Sequence, residues 1–245
     1  MGRAIAVGCG VSSSRGMFYG VGVGPGDPEL LTLKACRVIR EVPVIAFPQL
    51  GDAQSTARII AATHVVGEKR EIAIRVPLSG GGSDAAYDRA SCEIAEVLAS
   101  GLDVAILCEG DPLVYGSFIA VWERLKNQFV CEIIPGVSST TAAFARIQKP
   151  ILRGQEALCV VPGTLDDAAL EQRIAEMDCI AIVKVGRHIR RLAALVERMG
   201  LMDRAHYIER ATLGHERHMP LVQFTADTAP YFSMILIGQH GEARP

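Results

Sequence analysis

The amino-acid sequence predicts an α/β fold with two α/β domains, the first with a mostly parallel sheet and the second with a mixed sheet. Up to about residue 136, apolar strand-like runs alternate with helical segments, which implies right-handed crossovers between parallel strands. The later part has five strand-like runs, with helical segments only between the first three, so its last strands are expected to form hairpins. We assign residues 1–16 to a flexible tail, 17–136 to the N-terminal domain and 137–245 to the C-terminal domain, and we expect a ligand cleft between the domains.

Glycine, proline and capping residues divide the N-terminal part into elements. Asp27 is expected to cap a helix that begins at Pro28, and Ser83 to cap a helix that Gly101 ends. The predicted strands of this part are 18–23, 42–48, 70–78, 103–108 and 130–136, and the other helices are 55–63 and 112–126. In the later part the predicted strands are 157–163, 178–186, 204–212, 219–224 and 231–238.

Charge and cysteine content exclude several classes of protein. A net charge of −2 gives no general attraction to nucleic acid or to an anionic membrane. No apolar run approaches the roughly 20 residues that a membrane-spanning helix needs. The seven cysteines are an odd number without a close pair, which argues against a disulfide framework and a thiolate metal site. We therefore expect a cytoplasmic protein with no nucleic-acid or membrane partner.

The first glycine-rich stretch, "YGVGVGPGDPELLTLKA", raises the question of a ligand. Its glycines do not complete a dinucleotide fingerprint, because the third glycine of G-x-G-x-x-G would fall on Pro25 or on Asp27. Gly-Asp-Pro occurs at 26–28 and again at 110–112, each time after an apolar strand and before a helix. Such junctions lie at the carboxyl ends of parallel strands, where open α/β sheets bind ligands. The alternative is that the glycines only turn the chain and that Asp-Pro simply starts a helix.

Five segments together resemble the tetrapyrrole methylase family: "GVGPGDPELLTLKA", "CEGDPLVYGSF", "IPGVSSTTAAFA", "KVGR" and "IERATLGHE". The resemblance runs from about residue 17 to 239. It implies an S-adenosylmethionine-dependent C-methyltransferase acting on an anionic tetrapyrrole, most like the branch that methylates precorrin-2 at carbon 20 in cobalamin synthesis. Cobalt-factor II and uroporphyrinogen-III are the alternative acceptors within the family. The resemblance also implies a homodimer.

The same resemblance implies which residues contact the two ligands. Methyl-donor contacts fall on Pro25, Gly110, Asp111, Val114, Ser138, Ser139, Val185 and Ala211. The acceptor carries several carboxylates, so Lys184 and Arg187 are candidates to bind it. Tyr115 either stacks on the flat ring or packs in the core. Arg190 and Arg191 are better explained as part of a solvated helix face.

No dedicated catalytic nucleophile is expected, because methyl transfer to an electron-rich carbon depends mainly on positioning. Neither "GVSSS" nor "GVSST" completes the G-x-S-x-G motif. His215 and His218 form an H-x-x-H pair, but the sequence shows no further ligand cluster, so we expect no metal. Two interpretations outside the family stay open. One is a nicotinamide or flavin oxidoreductase, which the broken fingerprint disfavours, and the other is a non-enzymatic ligand-binding module.

Overall fold

The computed structural model describes residues 15–77 and 83–238. The predicted tail therefore lies outside the described residues, apart from Arg15 and Gly16. Strands β1 to β10 are, in order, Phe18–Gly22, Val44–Leu50, Arg70–Val76, Val104–Cys108, Cys131–Ile134, Leu158–Pro162, Cys179–Val183, Ala205–Glu209, Arg217–Pro220 and Ser233–Ile237. Helices α1 to α7 are Leu33–Glu41, Thr56–Ile60, Ser83–Ala99, Ser117–Leu125, Ser139–Arg146, Asp167–Ala175 and Ile189–Arg198. Short 3-10 helices are formed by Pro28–Leu30, Ala62–His64, Gly186–His188, Met202–Arg204 and Leu221–Gln223.

The described residues pack as two units. The first consists of residues 15–22, 32–77, 83–108 and 112–136, and the second of residues 23–31, 109–111 and 137–238. The segments that follow β1 and β4 therefore pack with the second unit, although each is preceded and followed by residues of the first. Both repeated Gly-Asp sequences lie in these two segments.

The first unit contains a sheet of strand order β3-β2-β4-β1-β5 in which every described pairing is parallel. The central strand β4, "VAILC", is buried along its whole length, as expected for a parallel sheet covered on both faces. Helices α3 and α4 pack on one face, where the rings of Phe18 and Phe118 lie 5.5 Å apart. Burial of each such large apolar side chain contributes about 1.5–3 kcal/mol.

The second unit contains a mixed sheet of strand order β6-β7-β10-β8-β9. Strands β6 and β7 are parallel, and the other pairs are antiparallel. Helices α6 and α7 pack around Tyr207 on one face of this sheet, and Phe144 of α5 packs against the other face. The predicted fold class, with one parallel and one mixed sheet, is confirmed.

The first helix begins later than the sequence predicted. Asp27 does cap a helix, since its carboxylate accepts the N–H of Glu29 over 2.9 Å, but that helix is the short 3-10 segment Pro28–Leu30. The α-helix itself starts at Leu33 with Thr32 as its N-cap. The chain turns between the two because the residue that closes the 3-10 segment has an extended backbone.

Two further boundaries were predicted wrongly. The helix expected over 112–126 begins only with α4, because Tyr115 has a left-handed φ of 55° that a right-handed helix does not accept. The strand expected over 219–224 is displaced, since β9 ends at Pro220 and Leu221–Gln223 form a 3-10 helix. Proline donates no hydrogen bond to a sheet, which suits the end of this edge strand. Among the described residues, no helix is both long enough and apolar enough to cross a membrane.

Candidate functional site

Two backbone hydrogen bonds join the loop that follows β1 to the loop that follows β4. The N–H of Gly110 donates to the carbonyl oxygen of Gly24 over 2.8 Å, and the N–H of Gly24 donates to the carbonyl oxygen of Gly110 over 3.3 Å. Both residues have left-handed backbones, with φ of 76° at Gly24 and 67° at Gly110. Glycine adopts this conformation without the steric cost of a Cβ. The bridge holds the two loops side by side within the second unit.

The space beside Gly110 is open. A Cβ placed there would lie 3.6 Å from the backbone nitrogen of Ser139 and 3.9 Å from the carbonyl oxygen of Val137, which are ordinary contact distances. Backbone conformation, and not close packing, therefore requires glycine here. Helix α5 begins beside this space, and its N-cap Ser138 accepts the N–H of Thr140 over 3.2 Å. Its first turn also presents backbone N–H groups that have no partner inside the helix.

The turn directly after β8, residues 210–213, contains two strained residues. Arg210 and Thr212 have left-handed φ values of 52° and 66°, and Ala211 between them is only 7% exposed. The N–H of Leu213 donates to the carbonyl oxygen of Arg210 over 2.8 Å and closes the turn. Left-handed residues other than glycine cost about 1–3 kcal/mol each and cluster at functional sites. This strain supports a functional role for the turn.

The loop after β1 packs directly against that turn. The backbone N–H of Asp27 donates to the hydroxyl oxygen of Thr212 over 3.1 Å. A Cβ on Gly26 would lie 2.6 Å from Cγ of Leu213 and 2.8 Å from Oγ1 of Thr212, so only glycine fits at this position. The Asp27 carboxylate is used inside its own loop, as the cap of the following 3-10 helix.

The "KVGR" segment leaves the end of β7. Lys184 has a left-handed φ of 56°, Val185 is fully buried, and Lys184 and Arg187 are exposed. The Nε–H of Arg187 donates to Nε2 of His188 over 3.4 Å. Burial lowers the pKa of His188 below its usual value, and the charges of the neighbouring arginines lower it further. Between pH 7 and 8 this segment therefore carries its positive charge on arginine and lysine.

Two arginines of α7 have structural partners. Arg190 forms an ion pair with Asp227 and is largely exposed. Arg191 forms an ion pair with Asp167 and donates to the carbonyl oxygen of Gly163. These contacts connect α7 to the start of α6 and to the loops beside it, which is a structural role.

The remaining predicted contact residues lie in both units. Pro25 is buried in the second unit, and Asp111 is partly buried there. Val114 and Tyr115 belong to the first unit and are 46% and 51% exposed. Within the second unit, the loops bring together Pro25, Gly110, Ser138, Ser139 and Ala211.

The cysteines of the described residues are free thiols. Burial raises the pKa of Cys131 and of Cys179 to about 11, so both stay protonated at neutral pH. Within the described residues, no group of three or more histidine, cysteine, aspartate and glutamate side chains is arranged to hold a metal ion. His215 and His218 lie in the turn before β9 and on that strand.

Comparison with known proteins identifies the family. Residues 17–224 match the family described as tetrapyrrole (corrin/porphyrin) methylases. The chain belongs to this family. This tetrapyrrole methylase is 34% identical, over 232 residues, to a Sinorhizobium protein named precorrin-2 C(20)-methyltransferase. The match covers 91% of this chain and 95% of the relative.

A second relative of this tetrapyrrole methylase is the cobalamin biosynthesis protein CobIJ of Mycobacterium tuberculosis. The two are 37% identical over 235 residues, which is 92% of this chain but 46% of the relative. The chain therefore spans about half the length of that relative. Among solved structures, uroporphyrin-III C-methyl transferase of Thermus thermophilus, complexed with S-adenyl homocysteine, matches with a TM-score of 0.66 at 23% identity. That match covers 91% of this chain and 92% of the other, and it shows a common fold.

Sequence motifs did not reveal a polar cluster on β8 of this tetrapyrrole methylase, just before the turn that begins at Arg210. The hydroxyl of Tyr207 donates to the carboxylate of Glu209 and lies 3.2 Å from Oγ of Ser233. Burial and the bond to Glu209 raise the pKa of Tyr207 to about 12. Arg217 of β9 completes the cluster, 3.5 Å from the same carboxylate. The spacing of Tyr207 and Glu209 on β8 was the one available signal, because side chains two residues apart face the same side of a strand.

Proposed function

We propose that the protein is an S-adenosylmethionine-dependent C-methyltransferase that methylates precorrin-2 at carbon 20 and gives precorrin-3A in cobalamin biosynthesis. The observation that carries this proposal is the 34% identity to the Sinorhizobium precorrin-2 C(20)-methyltransferase, which extends over 95% of that relative. The "GDPLVYGSF", "KVGR", "ERAT" and "PYFSMIL" patterns favour the same branch.

The chemistry of the loops suits this methyl donor. S-adenosylmethionine carries a sulfonium cation, two ribose hydroxyls, an adenine and an amino-acid end, but no phosphate. The open space beside Gly110 lets a ligand approach the backbone closely, and the first turn of α5 offers N–H groups to hydroxyls and to the carboxylate. The donor contacts that we propose are Pro25, Gly110, Asp111, Val114, Ser138, Ser139, Val185 and Ala211. A phosphate-bearing dinucleotide fits less well, because the glycine spacing is broken at Pro25.

Methyl transfer needs little covalent chemistry from the protein. The electron pair of the acceptor carbon forms a bond to the methyl carbon, and the methyl–sulfur bond breaks with its own electron pair staying on the sulfur of S-adenosylhomocysteine. The methylated carbon then releases its proton to a base or to water. Holding the two reactants in this geometry supplies about 7–11 kcal/mol. The thiols of Cys131, which is partly buried, and of Cys179, which is buried, each have a pKa of about 11, so they are protonated at neutral pH and unsuited to act as nucleophiles. The residues near the donor therefore act by binding and orienting.

The acceptor is proposed to be an anionic tetrapyrrole. Lys184 directly after β7 and Arg187 in the following 3-10 helix are exposed cations that can pair with its carboxylates. Tyr115, about half exposed, is proposed to contact the flat ring. A homodimer in the cytoplasm completes the proposal, and the odd number of cysteines supports the reducing compartment.

One assay tests the function and its alternatives. Purified protein is incubated with methyl-labelled S-adenosylmethionine and with precorrin-2, its cobalt-containing counterpart or uroporphyrinogen-III, and the product mass is measured. Label in precorrin-2, with the mass increase of one CH2 that results when a methyl group replaces a hydrogen, supports the proposal. Labelling of another acceptor alone would reassign the substrate. Binding of NADH without binding of S-adenosylhomocysteine would favour an oxidoreductase, and donor binding without turnover on any acceptor would favour a binding module.

A further inference from the structure

A carboxylate that is not among the predicted contact residues, that of Glu216 at the end of the "IERATLGHE" segment, connects the loops of the second unit. The carboxylate of Glu216 accepts the backbone N–H of Thr212 over 2.6 Å. Both of its oxygens also accept from Nε of Arg146, over 2.8 and 2.9 Å. The Glu216 side chain is only 11% exposed, although that of Arg146 is 55% exposed. Glu216 therefore connects the end of α5 to the strained turn after β8.

The same chain of contacts continues to the loop after β1. Thr212, whose N–H Glu216 holds, accepts the N–H of Asp27 through its hydroxyl over 3.1 Å. Thr212 and Leu213 also cover the open side of Gly26. One carboxylate thus acts on three segments, and each of them either contains or leads into proposed donor contacts.

The left-handed conformation of Thr212 explains why an anchor is needed. A β-branched residue rarely adopts a φ of 66°, and such strain persists only where surrounding contacts over-determine it. A charged acceptor holds an N–H more strongly than a neutral one. The carboxylate of Glu216 provides this anchor, and Arg146 fixes its direction.

We propose that Glu216 is a positioning residue of the donor site, which acts through Thr212 to hold the loop at Gly26 and the turn at Ala211 in their binding geometry. This inference rests on the proposed function. It assigns Glu216 no contact with either ligand. The structural part of the proposal, that Glu216 fixes two backbone segments, can be measured without a ligand.

The first measurement is amide hydrogen exchange of the free protein. In Glu216→Ala, the amides of Thr212 and Asp27 are expected to exchange at least tenfold faster than in the unmodified protein. Glu216→Gln keeps an acceptor oxygen and is expected to retain most of the protection. The matched control is Glu171→Ala, which removes a carboxylate from an ion pair with Arg198 on α6 and α7. Unchanged exchange at both amides in Glu216→Ala, or an equal gain in the control, overturns the proposal.

The second measurement is the dissociation constant of S-adenosylhomocysteine. We expect it to rise at least tenfold in Glu216→Ala and less than threefold in Glu216→Gln and Glu171→Ala. Thr212→Val removes the hydroxyl acceptor. If Glu216 acts through Thr212, the variant that combines Glu216→Ala with Thr212→Val will bind S-adenosylhomocysteine no more weakly than whichever single variant has the higher dissociation constant. Additive losses, or a dissociation constant that stays within twofold in Glu216→Ala while exchange rises, overturn the positioning role. If the unmodified protein binds no S-adenosylhomocysteine, the proposed function fails, and the exchange result still decides whether Glu216 holds the two segments.

Discussion

Gly24 and Gly110 lie 86 residues apart in sequence, yet each donates its backbone N–H to the carbonyl oxygen of the other. Both have left-handed backbones, and their two hydrogen bonds join the loops after β1 and β4 through the main chain. The meeting point lies beside the start of α5, where a Cβ on Gly110 would meet only ordinary contacts. Because the loops meet at glycines, a single substitution at one of them tests whether the donor binds at this point.

Ligand-linked stability gives the first prediction. S-adenosylhomocysteine is expected to bind the folded protein and not the unfolded chain, so it stabilises the fold by mass action. At a free concentration of one hundred times its dissociation constant, the gain is about 2.7 kcal/mol. Thermal unfolding with and without the ligand measures it. An unchanged melting curve together with a silent calorimetric titration would contradict the prediction.

Gly110→Ala is predicted to weaken donor binding beyond its effect on stability. Alanine at a left-handed φ costs roughly 1–2 kcal/mol of folding free energy, and its Cβ occupies the open space where the donor is proposed to approach. Gly200 provides a matched control, because its φ of 68° and its open surroundings resemble those of Gly110. Both variants should lose similar stability in denaturant unfolding. Only Gly110→Ala should bind S-adenosylhomocysteine at least tenfold more weakly, and equal affinities would make the loop a simple turn.

Gly26→Ala is predicted to be destabilising for a different reason. Its new Cβ would lie within 2.6 Å of Cγ of Leu213 and 2.8 Å of Oγ1 of Thr212. Overpacking of this kind costs typically 1–3 kcal/mol. Leu213→Ala in the same chain should restore part of the loss, because it removes the nearest atom. Denaturant unfolding of the single and double variants checks this, and a double variant less stable than both single variants would contradict the clash.

The Tyr207 cluster predicts a specific dependence of stability on pH. The pKa of Tyr207 is about 12 in the folded protein against 10.0 in the reference state, so the folded state holds this proton more tightly. The contribution of this proton to the free energy of unfolding is complete below pH 10. It is lost as the pH rises from 10 towards 12, by about 1.4 kcal/mol per pH unit. Tyr207→Phe has no phenol to titrate, so it does not lose stability in this way above pH 10. At pH 8 it should be less stable by about 1–3 kcal/mol, because the buried Glu209 loses a donor.

The stability gap between the unmodified protein and Tyr207→Phe should therefore narrow above pH 10. Urea unfolding at pH 8 to 11 measures both proteins under the same conditions. The raised pKa values of Cys131 and Cys179 also remove stability above pH 9, but they act equally on both proteins and cancel in the difference. A gap that stays constant to pH 11 would show that Tyr207 titrates normally.

The strands were predictable because burial imposes a simple pattern on them. The run "VAILC" of β4 is apolar throughout since both faces of a parallel sheet are covered. Helix starts were less predictable, because an Asp-Pro pair suits a short 3-10 helix as well as an α-helix. At 112–126 the Asp-Pro signal was overridden by the left-handed Tyr115.

The contacts that organise the candidate site could not be predicted from local pattern. Asp27 and Thr212 are separated by 185 residues, and only the fold brings the N–H of one to the hydroxyl of the other. The role of Glu216 was hidden for the same reason, since nothing in "LGHERH" distinguishes it from a solvated charge. The donor contacts were inferred from family resemblance, while the physics of the residues explained why phosphate chemistry was disfavoured.

Arg187→Ala is the prediction that addresses the acceptor. The net charge of the chain is only −2, so recruitment of a polycarboxylate depends on local cations such as this exposed arginine in the 3-10 helix after β7. A charge-assisted contact that binding removes from water is worth roughly 1.5–3 kcal/mol. The specificity constant for the tetrapyrrole should therefore fall about ten- to a hundredfold, while the affinity for S-adenosylhomocysteine should hardly change. Added salt should mimic part of this loss in the unmodified protein, because screening weakens partly exposed pairs.

The control for this variant is Arg190→Ala, which removes an arginine three residues later that is paired with Asp227. It deletes the same charge from the same region, so a general electrostatic effect would lower the specificity constant equally in both variants. A selective loss in Arg187→Ala would instead indicate a direct contact. The pKa of His188 serves as an internal check, since removal of the neighbouring guanidinium should raise it in an NMR titration. If Arg187→Ala loses donor affinity and retains its Michaelis constant for the tetrapyrrole, Arg187 belongs to the donor site and the two ligand assignments must be exchanged.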